Sequence, residues 1–526
     1  MPHPYARDLP ASPDPEQQRK RAKDLLKALR AGDAGAIARV RYSHPRLAHR
    51  PDAELVAAAK LSDAQWVVAR EYGFASWPRL QAHLAGEPPE IARPFEVELQ
   101  YYRDRAAGIR SNHRTGEAGS LRLVQRFHPR FAAASEAEIR AAELSQEDAE
   151  LVVARSHGFD GWDGFAARIG AMQAGRAEEP FRTAFEAIRG DDRAGLAAVL
   201  AAHPGLVNAK GTNGNRLLML AISMDRMVLA GDLLDAGADP ALTNDKGWGP
   251  LHDIAYGGGR GDREARLALL DRLISAGASV EAEAYGDGGT PLAVALFWGH
   301  TAMAERLVAE VAAPLNLRIA AGLGRMDLVA LFFEADGPLR PEAGYHRGFY
   351  RPHSGFPEWH MTGAPQEVLD EALTWAARSG RIEAMAALLA RGADIDGVPH
   401  NGAALHWALL CHRTEAVEWL LGQGADVDRR AVWGDTADVT PLHMAAGWAN
   451  DPRAARLLLD RGADPTIRDR TYNSTPLGWA EHFGHPEVIG TFGQVPEGSI
   501  TLVETVEDAR TVAVADSGKL AFLTQT

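Results

Sequence analysis

One phrase recurs down the second half of this chain and constrains its fold more than any other feature. It reads GWGPLHDIAYGGG at 247–259, GGTPLAVALFWGH at 288–300, NGAALHWALLCHR at 401–413, DVTPLHMAAGWAN at 438–450 and NSTPLGWAEHFGH at 473–485. Gly-Ala-Asp stops, or degraded versions of them, punctuate the same region at 237–240, 277–280, 392–395, 424–427 and 462–465. A period of roughly 33 to 40 residues marks an array in which stacked neighbours bury what one unit cannot. An array grows by adding units, so 526 residues need no single oversized core.

Within each unit the residues predict two helices. Thr-Pro opens the first, because threonine caps a helix and proline suits its first turn. Leu and Ala then give a narrow face for close packing. A glycine near the middle ends that helix, and a second one such as EAVEWLLGQG (415–424) carries apolar residues at helical spacing. The glycine of Gly-Ala-Asp closes the unit by taking the left-handed conformation.

The phrase resembles the ankyrin repeat, whose pattern is Thr-Pro-Leu-His, an Ala-Ala pair and a terminal Gly-Ala-Asp. The resemblance covers about 210 to 492. It implies an all-α fold, an α-solenoid of stacked helix pairs with short hairpin fingers. Two units are degenerate: 214–240 lacks the proline, and 315–336 has Arg318 where the motif histidine belongs. His252, His406 and His443 fill the histidine position. The resemblance gives that histidine a bracing role between neighbouring repeats, so the three are not read as site residues.

The N-terminal third repeats by a different rule. AQWVVAREYGFASW (64–77) aligns without gaps onto AELVVARSHGFDGW (149–162), and His-Pro turns stand upstream of each at 44–45 and 128–129. These read as duplicated helical units, similar to the N-terminal regions of large bacterial ankyrin proteins. The expected organisation is a disordered N-terminus (1–18), the duplicated helical region (19–180), a first repeat block (181–336), an ordered finger insertion (337–366), a second block (367–492) and a tail (493–526). The tail's β-branched alternation and Ser-Gly turn predict a small C-terminal β-hairpin.

Composition narrows the function. A formal charge of −14 argues against a general grip on nucleic acid. The single cysteine, Cys411, excludes a disulfide framework and a multi-cysteine zinc site. No apolar run suits a signal peptide or a membrane span, so a cytoplasmic location and no membrane partner are expected. GGGRG (257–261) lacks the ending of a phosphate loop and reads as a lengthened helix–helix loop. No catalytic motif is present, and neither an enzyme nor a cofactor is expected.

Two features remain as candidate binding sites. Trp375, Trp407 and Trp479 each follow the histidine position, with Met444 in the same place between the last two. On the resembled scaffold that position lies on the inner helix near the concave groove. There a ladder of indoles either anchors a partner or packs between units. The second feature is the insertion RPEAGYHRGFYRPHSGFPEWH (340–360). Its aromatics and prolines predict an ordered flap beside that groove. His346, His353 and His360 fall seven apart, the weakest argument being for metal. Tyr345, Arg347, Tyr350, Arg351 and His353 suit an anionic group. Tyr345, Trp359 and the arginines suit a protein contact or a structural plug, which ranks ahead of a small-molecule pocket faced by Tyr350, Arg351, His353 and His360. The expected function is binding of a protein partner through groove, fingers and insertion. The alternative is a pocket for a small anionic or aromatic ligand, with His353 as a general base.

Overall fold

The structure is a computed structural model that describes residues 5, 7, 14–44, 47, 50–72, 77–84, 90–259, 261–284, 289–309, 316–334, 337–348, 361–434 and 436–493. The described residues are mostly helical and fall into two compact units. The first takes those among 1–295, 300–315 and 345–350, and the second those among 296–299, 316–344 and 351–526. The expected tail hairpin at 493–526 lies outside the described residues, apart from Gly493. No described helix is long and apolar enough to cross a membrane.

The first unit begins with two sets of five helices in the same order. α1 (Pro15–Arg30), α2 (Ala34–Ser43), α3 (Asp52–Ala58), α4 (Leu61–Glu71) and α5 (Trp77–Leu84) form one set. α6 (Leu99–Thr115), α7 (Ala118–Phe127), α8 (Glu136–Ala141), α9 (Gln146–Ser156) and α10 (Trp162–Gln173) form the other. Each has its own apolar core. Their buried positions correspond: Gln18, Ala22, Leu25 and Leu29 of α1 match Tyr102, Ala106, Ile109 and His113 of α6. The two His-Pro turns also match, since His44 Nε2 lies 3.0 Å from Asp63 on α4 and His128 Nε2 lies 3.0 Å from Asp148 on α9. In each case the histidine closing one helix is pinned to an acid in the first turn of another. Arg7 donates to the buried Glu71 carboxylate at 3.0 Å. Arg39 holds the same carboxylate at 2.6 and 2.8 Å.

Beyond residue 180 the elements are short helix pairs. In the second unit the first helices of successive pairs pack side by side: Leu317–Leu323, Pro365–Arg378, Ala404–Leu410, Pro441–Ala446 and Pro476–Phe483. Two sets of side-chain bonds tie neighbouring pairs together. At the start of three inner helices, a motif histidine accepts a backbone N–H at Nδ1 and donates from Nε2 to the next pair. His252 bonds Gly249 N (3.1 Å) and Gly289 O (3.0 Å). His406 bonds Ala403 N (3.3 Å) and Val439 O (3.1 Å). His443 bonds Thr440 N (3.3 Å) and Ser474 O (3.1 Å). A carbonyl can only accept, so each ring is neutral with its proton on Nε2.

At the far end of the inner helix, a basic residue after the turn reaches back to the preceding pair. His300 Nε2 donates to Tyr256 O (3.1 Å), Arg413 Nε to Arg378 O (2.9 Å) and His485 Nδ1 to Ala446 O (3.0 Å). These are the C-terminal carbonyls of helices, which otherwise lack partners.

The degenerate unit at Arg318 follows the same logic with a longer side chain. The next inner helix, Pro365–Arg378, has 14 residues where its neighbours have six or seven. The carbonyl that a motif histidine would use is therefore inside a helix and already spent on it. Arg318 instead donates to the Glu371 carboxylate at 2.6 Å. Glu371 stands three residues before Thr374 as Thr440 stands three before His443.

Candidate aromatic face of the second unit

The three predicted tryptophans occupy equivalent helical positions but different environments. Trp375 and Trp407 are wholly buried, and Trp479 nearly so. Trp407 donates from Nε1 to Asn401 O at 2.5 Å and lies beneath the Arg378 guanidinium, whose carbon is 3.4 Å from the ring centre. Arg378 also stands 4.3 Å from the Phe297 ring and donates to Phe297 O at 3.1 Å. Arg318 lies 4.5 Å over Trp375. Two buried cations are thus laid on aromatic faces, an arrangement favourable where water is excluded. Burial, with Arg378 and Arg318 nearby, pushes the His400 imidazole far below its ordinary range, so it is neutral. Rings held in this way present no free face.

The exposed aromatic surface comes from residues the sequence pattern did not single out. Strands β1 (Ala431–Trp433) and β2 (Thr436–Val439) pair antiparallel as one finger. Trp433 reaches back from it to pack 4.5 Å from Trp407. Gly402 permits this approach: it has φ +75°, and a Cβ there would lie 2.7 Å from the Trp433 ring. From Trp433 the aromatic contacts continue to Trp448 at 6.0 Å, and from Trp448 edge-on to Trp479 at 4.7 Å. Phe483 closes the row 6.4 Å from Trp448. Trp448 is 42% exposed and Phe483 45%. The two fingers add Val432 at 44% and Tyr472 at 63%. Asp469 shapes the second finger by accepting from Tyr472 N (2.6 Å), Ser474 N (3.0 Å) and Trp479 Nε1 (3.0 Å). One carboxylate therefore fixes both the finger and a ring of the row.

The insertion is described only at its two ends. Tyr345, His346 and Arg347 belong to the first unit, where Tyr345 and His346 pack 5.3 and 4.9 Å from Tyr42 on α2. His346 adopts φ +53°, the left-handed region that non-glycine residues rarely enter. Arg347 is buried. Tyr350, Arg351, His353, Trp359 and His360 lie outside the described residues, so the proposed anionic and metal groupings there do too. Among the described residues no three His, Cys, Asp or Glu side chains converge as metal ligands.

Models of ankyrin repeats match residues 358–431 and 426–477. Residues 358–477 carry ankyrin repeats. These repeats are generally protein–protein interaction modules. The chain also shares a 45-residue stretch with 4-hydroxy-3-methylbut-2-enyl diphosphate reductases. Identity is 67% for the Hyphomonas neptunium protein, over 9% of this chain and 14% of that one. It is 62% for the Paracoccus denitrificans protein, over 9% and 14%, and 62% for the Brucella anthropi protein, over 9% and 13%. The chain thus spans about one seventh of the length of these relatives.

Proposed function

We propose that this chain is an ankyrin-repeat interaction protein that binds a protein partner on the inner-helix face and fingers of its second unit. The insertion at 337–366 is assigned a share in the contact. The observation that carries the reading is the continuous aromatic row from buried Trp407 through Trp433 to half-exposed Trp448, which meets both Trp479 and half-exposed Phe483. Interface hot spots have this form, large flat side chains set rigidly in a packed surround with their edges left to the solvent. The buried rings fix the exposed ones before binding, which lowers the entropy lost on association. The reductase-like stretch is too small a part of those enzymes to bring their activity here.

Affinity capture from a native-host lysate tests this. The wild-type chain should retain a protein that a Trp448→Ala/Phe483→Ala variant loses, with both chains showing the same circular dichroism. Retention by that variant, with loss only when 349–360 is replaced by a short loop, would place recognition elsewhere.

A further inference from the structure

The first helix carries a row of exposed charge that forms no ion pair among the described residues. α1 turns Gln18, Ala22, Leu25 and Leu29 into the core. Arg19, Lys23, Lys27 and Arg30 are exposed on another side. At about 100° per residue these four fall within an arc of about 80° and run about 16 Å along the axis. Lys20 flanks them; of the acids on this helix Glu16 falls within the same arc in the first turn, one turn before Arg19, and Asp24 lies beside Lys20. Among the described residues none of the four row cations has an ion-pair partner. Arg21, by contrast, bonds Gln18 and lies over Tyr72. The helix has six basic residues against two acids in a chain that totals −14.

Packing does not explain the row, because α6 supplies an internal comparison. The buried positions of α1 and α6 coincide at a spacing of 84 residues. The four row positions of α1 correspond to Arg103, Ala107, Ser111 and Arg114 of α6, which folds with the two central cations absent. Like charges one turn apart oppose helix formation, so Lys23 gains nothing from standing between Arg19 and Lys27, whereas Lys27 and Arg30 are favoured by their place in the last turn.

We propose that this face of α1 docks an acidic segment of a partner protein, with carboxylates spaced one helical turn apart to meet Arg19, Lys23, Lys27 and Arg30. The row shares no residue with the aromatic face and does not depend on it. A short acidic segment meets only the row, whose local field dominates within a Debye length of about 8 Å. A long nucleic acid would also feel the negative remainder of the chain, and no exposed aromatic on α1 offers a base a stacking surface. An anionic membrane is disfavoured because the apolar side of α1 is spent on the core and cannot insert.

The test is fluorescence anisotropy with the full chain and three probes of matched charge: a helical peptide with glutamates at i, i+4, i+8 and i+11, a duplex DNA, and vesicles containing phosphatidylserine. The peptide should bind most tightly at 50 mM salt, and Lys23→Glu/Lys27→Glu should weaken it at least tenfold while the chain keeps its circular dichroism at 25 °C. Ala107→Lys/Ser111→Lys on α6 should add a second, weaker peptide site. Tighter binding of DNA or vesicles, peptide binding indifferent to the α1 variant, or no peptide binding at 50 mM salt would each overturn the proposal.

Discussion

The Arg318 guanidinium donates to Glu371 at 2.6 Å with both side chains fully excluded from solvent. This pair replaces the histidine-to-carbonyl bond that ties other neighbouring repeats. Removing one member leaves a buried charge without its partner, which costs about 3–5 kcal/mol. Glu371→Gln should therefore lower the second unit's stability by about that much in urea titrations. Arg318→Met combined with Glu371→Leu should recover most of the loss, since an apolar pair of similar volume removes both charges at once.

The motif histidines set an acid limit on the fold. Burial pushes His252 and His406 down to about 4 and also lowers His443. His157, which bonds Thr212 at 2.8 Å, falls to about 4, again chiefly by burial. These rings stay neutral in the fold but take protons in the unfolded chain below about 6.5. Their contribution is complete above that value and is lost as pH falls toward 4. Unfolding midpoints should thus drop between pH 7 and pH 5, and His406→Gln should flatten part of the slope.

Asp253 runs the other way. Burial raises its carboxyl to about 7, although the Trp248 indole donates to it at 2.6 Å. A raised carboxyl adds stability in full below about 4 and loses it as pH rises through 7. Asp253→Asn should leave stability nearly unchanged near pH 4 and raise it progressively toward pH 8, measured as the shift in urea midpoint. Equal effects at both pH values would show that the carboxyl is ionised throughout.

Trp407 and Trp448 belong to one aromatic row but should behave differently. Trp407→Ala empties a sealed space beneath Arg378 and should cost about 3–5 kcal/mol. Trp448→Ala trims a half-exposed ring and should change stability by about 1 kcal/mol or less. Partner capture should show the reverse emphasis, with Trp448→Ala acting on binding at constant fold.

The repeats were legible because their signals are local: a cap, a proline, a narrow Leu/Ala face and a left-handed glycine within one unit. The helix Ala404–Leu410 and its successor Thr414–Gly422 lie where the pattern predicts. The aromatic face was legible only in part. Trp375, Trp407 and Trp479 share a register position, yet register does not reveal that Arg378 covers one of them. Trp433 and Trp448 lie in a finger and a turn, outside any helical period, and enter the row only through contacts across units. The Val-Trp-Gly-Asp-Thr stretch at 432–436 did carry a hairpin signal, which is what brings Trp433 over Trp407. The row on α1 was hidden by a total charge that averages it away.

The histidine bonds make some repeats dependent on what comes after them. A ring at 252, 406 or 443 donates to a carbonyl of the following unit, so excising that unit breaks the tie and leaves the donor to water. Gly478 occupies the same position in the Pro476–Phe483 helix and makes no such tie to lose. Shortened chains ending just beyond that helix pair should thus close on themselves, whereas chains cut after the His406 or His443 pair should fray from the cut inward.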